Sequence, residues 1–407
     1  MVRASLCESE GCGFKSRMPP KFKFMINKKT PDNALSLLKQ VIAIPSFVDD
    51  GQNEKALINF VYGLISSKTD LKITKQFVEK DRFNLIVRDA HPVKVVLFGH
   101  LDTVLPNQQT QEAFTPQIKN GKIFGLGSVD MKAGVAIMLD IAINHHRPGL
   151  AYVFTVDEEY QFKGAQKLKK IKNIHPDWII NVEPTNNKIL NGCRGITEFS
   201  FDIYGKSVHA SRKDRGVNAI EKSIKLVSLF QKQISLLDNK KSGKNTINLA
   251  YIHGGVLKSF DSKSQPNISG LGMVVPNFAR LNCEIRLASP KIDKKYILVT
   301  FKKIAKQEKI KLDNFYFKFH LANLFTPTSK LKPFEQSILS SGLKKQYLDL
   351  SSAGFYEVQL LQQAWGGRTV IFGPGPMEMA HMADEYADLD TITKTKETIE
   401  FFLKRNL

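Results

Sequence analysis

Between Asn33 and Ile44, Leu35, Leu37, Leu38, Val41 and Ile42 recur at helical spacing, and Glu54 to Ile65 repeats the pattern. The spacing predicts two amphipathic helices at the start of the fold. Leu71 to Phe77, Asn84 to Val87 and Val93 to Phe98 then read as strands, the last apolar on both faces as in a covered sheet. Met131 to His145 carries Ala133, Val135, Ala136, Met138, Leu139, Ile141 and Ala142, the mark of a buried helix, and the strand Ala151 to Val156 follows. Strand and helix alternate, which predicts an α/β architecture.

From Cys193 the pattern changes. Ile196 to Tyr204, Asn245 to His253 and Ala279 to Leu287 read as strands, with helices over Asn218 to Phe230 and Lys294 to Gln307. That set predicts a compact α+β unit over 193–321, inserted in a larger domain made of 25–192 and 322–407. The larger domain resumes with a helix near Phe334 to Leu343, the strand Thr369 to Phe372 and a last helix from Asp390 to Lys404. Residues 1–24 form a basic, irregular tail without the apolar core of a secretory signal.

Composition narrows the class. At 407 residues, 42% hydrophobic and 24% charged, the chain is ordinary globular material long enough for two domains. No apolar run nears the roughly 20 residues that cross a bilayer, so no membrane partner is expected. The cysteines Cys7, Cys12, Cys193 and Cys283 form neither a disulfide framework nor a zinc-ribbon spacing, and a reducing, cytoplasmic setting is expected. Lys and Arg outnumber Asp and Glu 59 to 39, for a net charge of +20, which raises the question of a nucleic-acid partner. The basic residues are scattered in short groups with no aromatic platform between them, so solvated lysine faces explain them better.

The chemistry gathers where strands end. Val93 to Phe98 leads into Gly99-His100-Leu101-Asp102, Ala151 to Val156 into Asp157-Glu158-Glu159, and Trp178 to Val182 into Glu183-Pro184. Asp130 precedes the buried helix, and the last strand runs on to His381 and Asp384-Glu385. In open α/β sheets, ligands bind beyond the carboxyl ends of the strands. Carboxylates crowded into one dry cleft repel each other unless cations neutralise them, so a metal centre is expected, and the number of acids suggests two ions rather than one. Mixed imidazole and carboxylate donors suit Zn²⁺. Asp102, two residues beyond His100 on the same side of an extended segment, is expected to orient the imidazole. Taken singly, an Asp before a helix is a cap and a Glu pair after a strand is solvated loop; their joint placement is the signal.

Five separated segments carry a family resemblance: Gly-His-Leu-Asp-Thr-Val at 99–104, Gly-Ser-Val-Asp-Met-Lys-Ala-Gly at 127–134, Asp-Glu-Glu at 157–159, Glu-Pro-Thr at 183–185 and Ala-His at 380–381. Together they resemble the di-zinc aminoacylase and carboxypeptidase family, closest to the branch of acetylornithine deacetylase and succinyl-diaminopimelate desuccinylase. The resemblance implies a zinc-hydrolase domain with a mixed sheet covered by helices, and an inserted lid and dimerisation domain. It also implies that Asp130 bridges two Zn²⁺ ions, for which Co²⁺ or Mn²⁺ can substitute, one held by His100 and Glu183 and the other by Glu159 and His381. Glu158 is implied as the general base, with Asp102 beside the metal ligands.

Gly205-Lys206-Ser207-Val208-His209-Ala210 resembles the family's segment whose histidine reaches the partner subunit's site, which implies a homodimer with His209 in that role. Arg286 matches the family arginine that grips a substrate carboxylate. Its alternative is a salt bridge on the sheet surface. Glu357 lies where a cationic substrate end would be met, and a buried structural acid is the other reading. The expected function is hydrolysis of a small N-acyl group from an N-acyl amino acid, with N-acetylornithine foremost. A dipeptidase, carboxypeptidase or succinyl-diaminopimelate desuccinylase of the same family is the runner-up, and a basic binding protein without catalysis is the alternative from another class.

Overall fold

The structure is a computed structural model that describes residues 33–49, 51–106, 112–239, 242–270, 272–351 and 353–407. The tail at 1–24, with Cys7 and Cys12, lies outside the described residues. A six-stranded sheet forms the frame, ordered Lys72–Glu79, Arg82–Arg88, Leu150–Thr155, Val95–His100, Trp178–Asn181 and Arg368–Ile371. The last four run parallel, and the hairpin of the first two joins them antiparallel at one edge. All four parallel strands therefore finish at the same rim. That topology is what brings the acidic strand ends together.

Both faces of the sheet are covered, which explains the unbroken apolar runs. Leu97, Tyr152, Phe154, Ile180 and Val370 turn to one face, where helices Ala34–Ile42, Lys55–Lys68, Lys132–Asn144 and Leu389–Asn406 pack. Val96, Phe98, Val153, Ile179 and Ile371 turn to the other, against Leu361 and Trp365 of helix Val358–Trp365 and Leu168 of Lys163–Leu168. Neither of these two short helices is predicted by the periodicity above, because each is too brief to establish a period. Asn33 caps the first helix by accepting the N–H of Ser36 at 2.9 Å.

Between Gly195 and Leu321 the chain builds a second sheet of five antiparallel strands, ordered Pro266–Ser269, Thr246–Phe260, Phe278–Leu287, Gly195–Tyr204 and Lys311–Leu321. Helices Ala219–Ser235 and Lys294–Gln307 cover one face with their own core, in which Phe230 and Phe301 stack at 4.1 Å between centroids. The other face carries Arg280, Asn282, Glu284 and Arg286 in alternation with buried residues. The architecture is mixed α/β with an α+β unit set into it. No helix among the described residues is long and apolar enough to cross a membrane.

Candidate metal centre

His100 is the last residue of its strand and is almost fully buried. Its Nε2 lies 3.1 Å from Oδ1 of Asp130 and 3.4 Å from Oε1 of Glu183, which follows the neighbouring parallel strand. His381 approaches the same Asp130 from the other side: its Nε2 is 3.4 Å from Asp130 Oδ2 and 3.1 Å from Glu159 Oε2. Two groups able to hold a metal ion result, His100 with Asp130 and Glu183, and Asp130 with Glu159 and His381. Asp130 belongs to both. The residues come from five segments separated by as many as 281 positions, united by the common rim of the parallel strands and by the loops that carry Asp130 and His381 over it.

Two glycines make room for this convergence. A Cβ on Gly134 would stand 2.3 Å from the carbonyl oxygen of Val182, and one on Gly373 would stand 2.4 Å from that of Glu183. The helix behind Asp130 and the loop toward His381 thus press directly on the backbone that presents Glu183.

Burial opposes a charge on His100, yet Glu183, Asp102 and Asp130 around it hold its pKa well above the ordinary imidazole value. Hydrogen bonds to Asp130 and then Glu159 raise His381 to about 10. Burial would raise Asp130, but the two imidazoles outweigh it and hold that carboxyl well below its usual range. Burial pushes Glu183 up to about 7, and burial and the charge of Asp130 raise Glu159. Each imidazole stands between carboxylate oxygens at 3.1–3.4 Å, so positive charge is what the cluster requires. Two imidazoles and three carboxylates are a donor set that divalent zinc, cobalt or manganese would fit.

Asp102 takes a position the sequence does not convey. Nδ1 of His100 faces the backbone carbonyl of Asp102 at 3.0 Å, while the nearer carboxylate oxygen is 3.6 Å away. The carboxylate instead accepts the N–H groups of Glu158 at 3.1 Å and Glu159 at 2.9 Å. It fixes the acidic turn. Glu158, within that turn, has its carboxyl held well above the usual range by burial, with Glu183, Glu159 and Glu357 adding like charge against the pull of His100.

The remaining expected site residues lie further out. Arg286 pairs with Glu284 at 2.7 Å and lies over the Phe355 ring at 5.1 Å, which joins the second sheet to the loop before helix Val358–Trp365. Glu357 is fully buried; Thr155 donates to its Oε1, and burial holds its carboxyl well above the usual range. The same Thr155 hydroxyl lies 3.2 Å from the Gly99 carbonyl oxygen, so Glu357 braces the strand end that carries His100. The burial of Glu357 matches that of His100 and Glu183, and its Oε2 has no hydrogen-bond partner among the described residues. His209 is exposed, and its contacts are local: Nδ1 lies 2.9 Å from Ser211 Oγ and its backbone bridges Val274. Among the described residues none of these contacts reaches the acidic cluster.

Glu385, named in the sequence only as an acid beyond the last strand, has partners that the reading did not assign. Glu385 accepts the N–H groups of Gly127 and Val129 at 2.8 Å and of Asp130 at 3.0 Å, and burial pushes its carboxyl up to about 7. Its place in Asp384-Glu385, four residues after His381, was the available signal. Nothing in that spacing names its partners.

The model of peptidase family M20/M25/M40 matches residues 96–405 of this chain. The chain belongs to that family. It is a hydrolase, and M20 enzymes are metal-dependent, in keeping with the two ligand groups above. Among its relatives is the acetylornithine deacetylase of Buchnera aphidicola from Schizaphis graminum, 28% identical over 368 residues that cover 87% of this chain and 91% of that one. Among solved structures, a tripeptidase from Staphylococcus aureus shares the fold with a TM-score of 0.67 at 20% identity, covering 92% of this chain and 97% of its own. A dinuclear metal-binding M20 peptidase from Bacillus subtilis does so with a TM-score of 0.65 at 12% identity, over 92% and 98%. The M20 fold is thereby common to all three chains.

Proposed function

We propose that this chain removes a small acyl group from an N-acyl amino acid, that it does so with two divalent metal ions, and that N-acetylornithine is its substrate. The observation that carries the reading is the sharing of Asp130 between the two ligand groups. Relatives bearing the name acetylornithine deacetylase, at 28% identity over most of both chains, support the substrate. His100, Asp130 and Glu183 would hold one ion, and Asp130, Glu159 and His381 the other, with Zn²⁺ the ion best suited to these donors. Bound there, the ions would supply Lewis acidity for both water and the amide carbonyl.

The protein's own groups do the rest. Glu158 takes the proton from the attacking water and delivers it to the leaving amine. No side chain forms a covalent intermediate. Asp102 keeps Glu158 aimed through their backbone hydrogen bond. Arg286, on the partly exposed face of the second sheet beside Phe355, binds the substrate carboxylate with a guanidinium fork. In a homodimer, exposed His209 of one protomer polarises the scissile carbonyl in the other, with residues 193–321 as the lid and dimerisation domain. The enzyme works on a small molecule in the cytoplasm.

Metal analysis coupled to hydrolysis of N-acetylornithine, succinyl-diaminopimelate, other N-acyl amino acids and dipeptides tests this. Deacetylation of N-acetylornithine that stops on chelation and returns with Zn²⁺ is the expected result. Turnover untouched by chelation refutes the mechanism, and preference for another member of the panel refutes the substrate.

A further inference from the structure

We propose that Arg82 is a positioning residue for the reaction: with Glu54 it clamps Asp157 and so sets the direction of Glu158 and Glu159. The inference rests on the reading above in which those two glutamates are base and metal ligand.

Asp157 has a φ of 72°, a left-handed conformation that a residue with a Cβ seldom holds unless its surroundings over-determine it. Here they do. Its N–H donates to Glu54 Oε1 at 3.0 Å, its Oδ1 accepts Arg82 Nη2 at 2.7 Å, and its carbonyl accepts the N–H of Phe162 at 2.7 Å. Arg82 forks onto Glu54 as well, with Nε to Oε2 at 2.8 Å and Nη2 to Oε1 at 2.7 Å. All three side chains are buried. Glu54 stands at the start of helix Lys55–Lys68 but makes no side-chain cap there; its carboxylate is committed to Arg82 and Asp157. The next two N–H groups, of Glu158 and Glu159, go to Asp102. The acidic turn is therefore held by Glu54 and Arg82 at Asp157 and by Asp102 at Glu158 and Glu159.

A buried ion network is weak grounds for stability, since its desolvation offsets its attraction. What it supplies is a fixed geometry. The planar fork meets Glu54 through two nitrogens while one of them also meets Asp157, a geometry that lysine's single nitrogen cannot reproduce. A further arm of Arg82 reaches Glu79 at 2.8 Å, which Lys163 meets at 2.6 Å near the surface.

The test is Arg82→Ala in the full chain, compared with wild type for kcat, KM, metal content, melting temperature and amide hydrogen exchange across residues 157–160 of the metal-free protein. The expected result is a kcat lower by about 10- to 100-fold with KM retained, faster exchange at 157–160, and partial recovery of kcat with methylguanidinium. Arg82→Lys keeps the charge without the fork and should show the same loss with no rescue. Lys55→Met, which breaks the exposed 3.1 Å pair with Asp81, should leave kcat unchanged. Folded Arg82 variants with wild-type kcat and wild-type exchange overturn the proposal. So does a kcat loss that follows the melting temperature without faster exchange or rescue, or the failure of both variants to fold. If the wild type hydrolyses nothing in the panel, the proposed function fails, while exchange at 157–160 still decides the clamp.

Discussion

The carboxylate of Glu385 accepts the backbone N–H of Asp130 at 3.0 Å across 255 positions of sequence. The same Oε1 takes Val129 and the other oxygen takes Gly127, each at 2.8 Å, so one anion fixes the loop that presents the shared ligand. Glu385→Gln turns one of those acceptors into an amide donor facing a backbone N–H. Metal affinity should fall about 10- to 100-fold, the usual consequence of losing a partner that orients a ligand. Equilibrium dialysis against Zn²⁺ reads it, and unchanged affinity would relieve Glu385 of that duty.

Glu158→Ala should separate binding from chemistry. The two ligand groups do not include Glu158, so metal content is retained, whereas turnover falls about 10²- to 10⁴-fold for loss of a general base. Steady-state kinetics beside elemental analysis of one preparation gives both numbers. Equal activity in the variant would assign the proton transfer elsewhere.

His381→Ala should cost one of the two ions. It deletes a donor from the Asp130, Glu159 and His381 group and leaves His100, Asp130 and Glu183 complete. Metal stoichiometry should fall from two to one per chain, and a chelator should strip the wild type of activity that Zn²⁺ restores. A variant that still binds two ions would take His381 out of the ligand set.

His320 supplies a pH dependence away from the metal centre. Burial, aided by Lys294, lowers its pKa to about 4, and its Nδ1 lies 2.8 Å from Thr197 Oγ1. The unfolded chain protonates this ring below about 6.5, while the folded one does so only near 4. Between those values the unfolded state binds more protons, so stability falls with falling pH across that window and not above it. Denaturant melts from pH 7 to 4 should show a shallower decline in His320→Gln than in the wild type. Parallel declines would show that the ring does not titrate as stated.

Much of the fold was legible because its signals are local. Helix Lys294–Gln307 matches its predicted bounds, and the strand from Gly195 to Tyr204 begins one residue before them, since hydrophobic spacing of 3.6 or 2 reports which face is buried whatever packs there. Short elements fell below that threshold. Gln117–Lys119, Lys122–Phe124 and Val358–Trp365 hold too few residues to set a period, whereas strand Lys311–Leu321 carries the alternation Phe315, Phe317, Phe319 that the reading passed over.

For the site, sequence determined the cast: histidine and acids at the ends of strands that share one sheet, with glycines where backbones meet. Tertiary structure decided who touches whom. Asp102 directs its carboxylate to the N–H groups of Glu158 and Glu159, Glu357 is sealed against Thr155, and Glu385 reaches back to Asp130. The physical reason is that a hydrogen bond depends on atoms within about 3 Å of each other. Strand order and crossover, not spacing along the chain, bring such atoms together when more than two hundred residues lie between them.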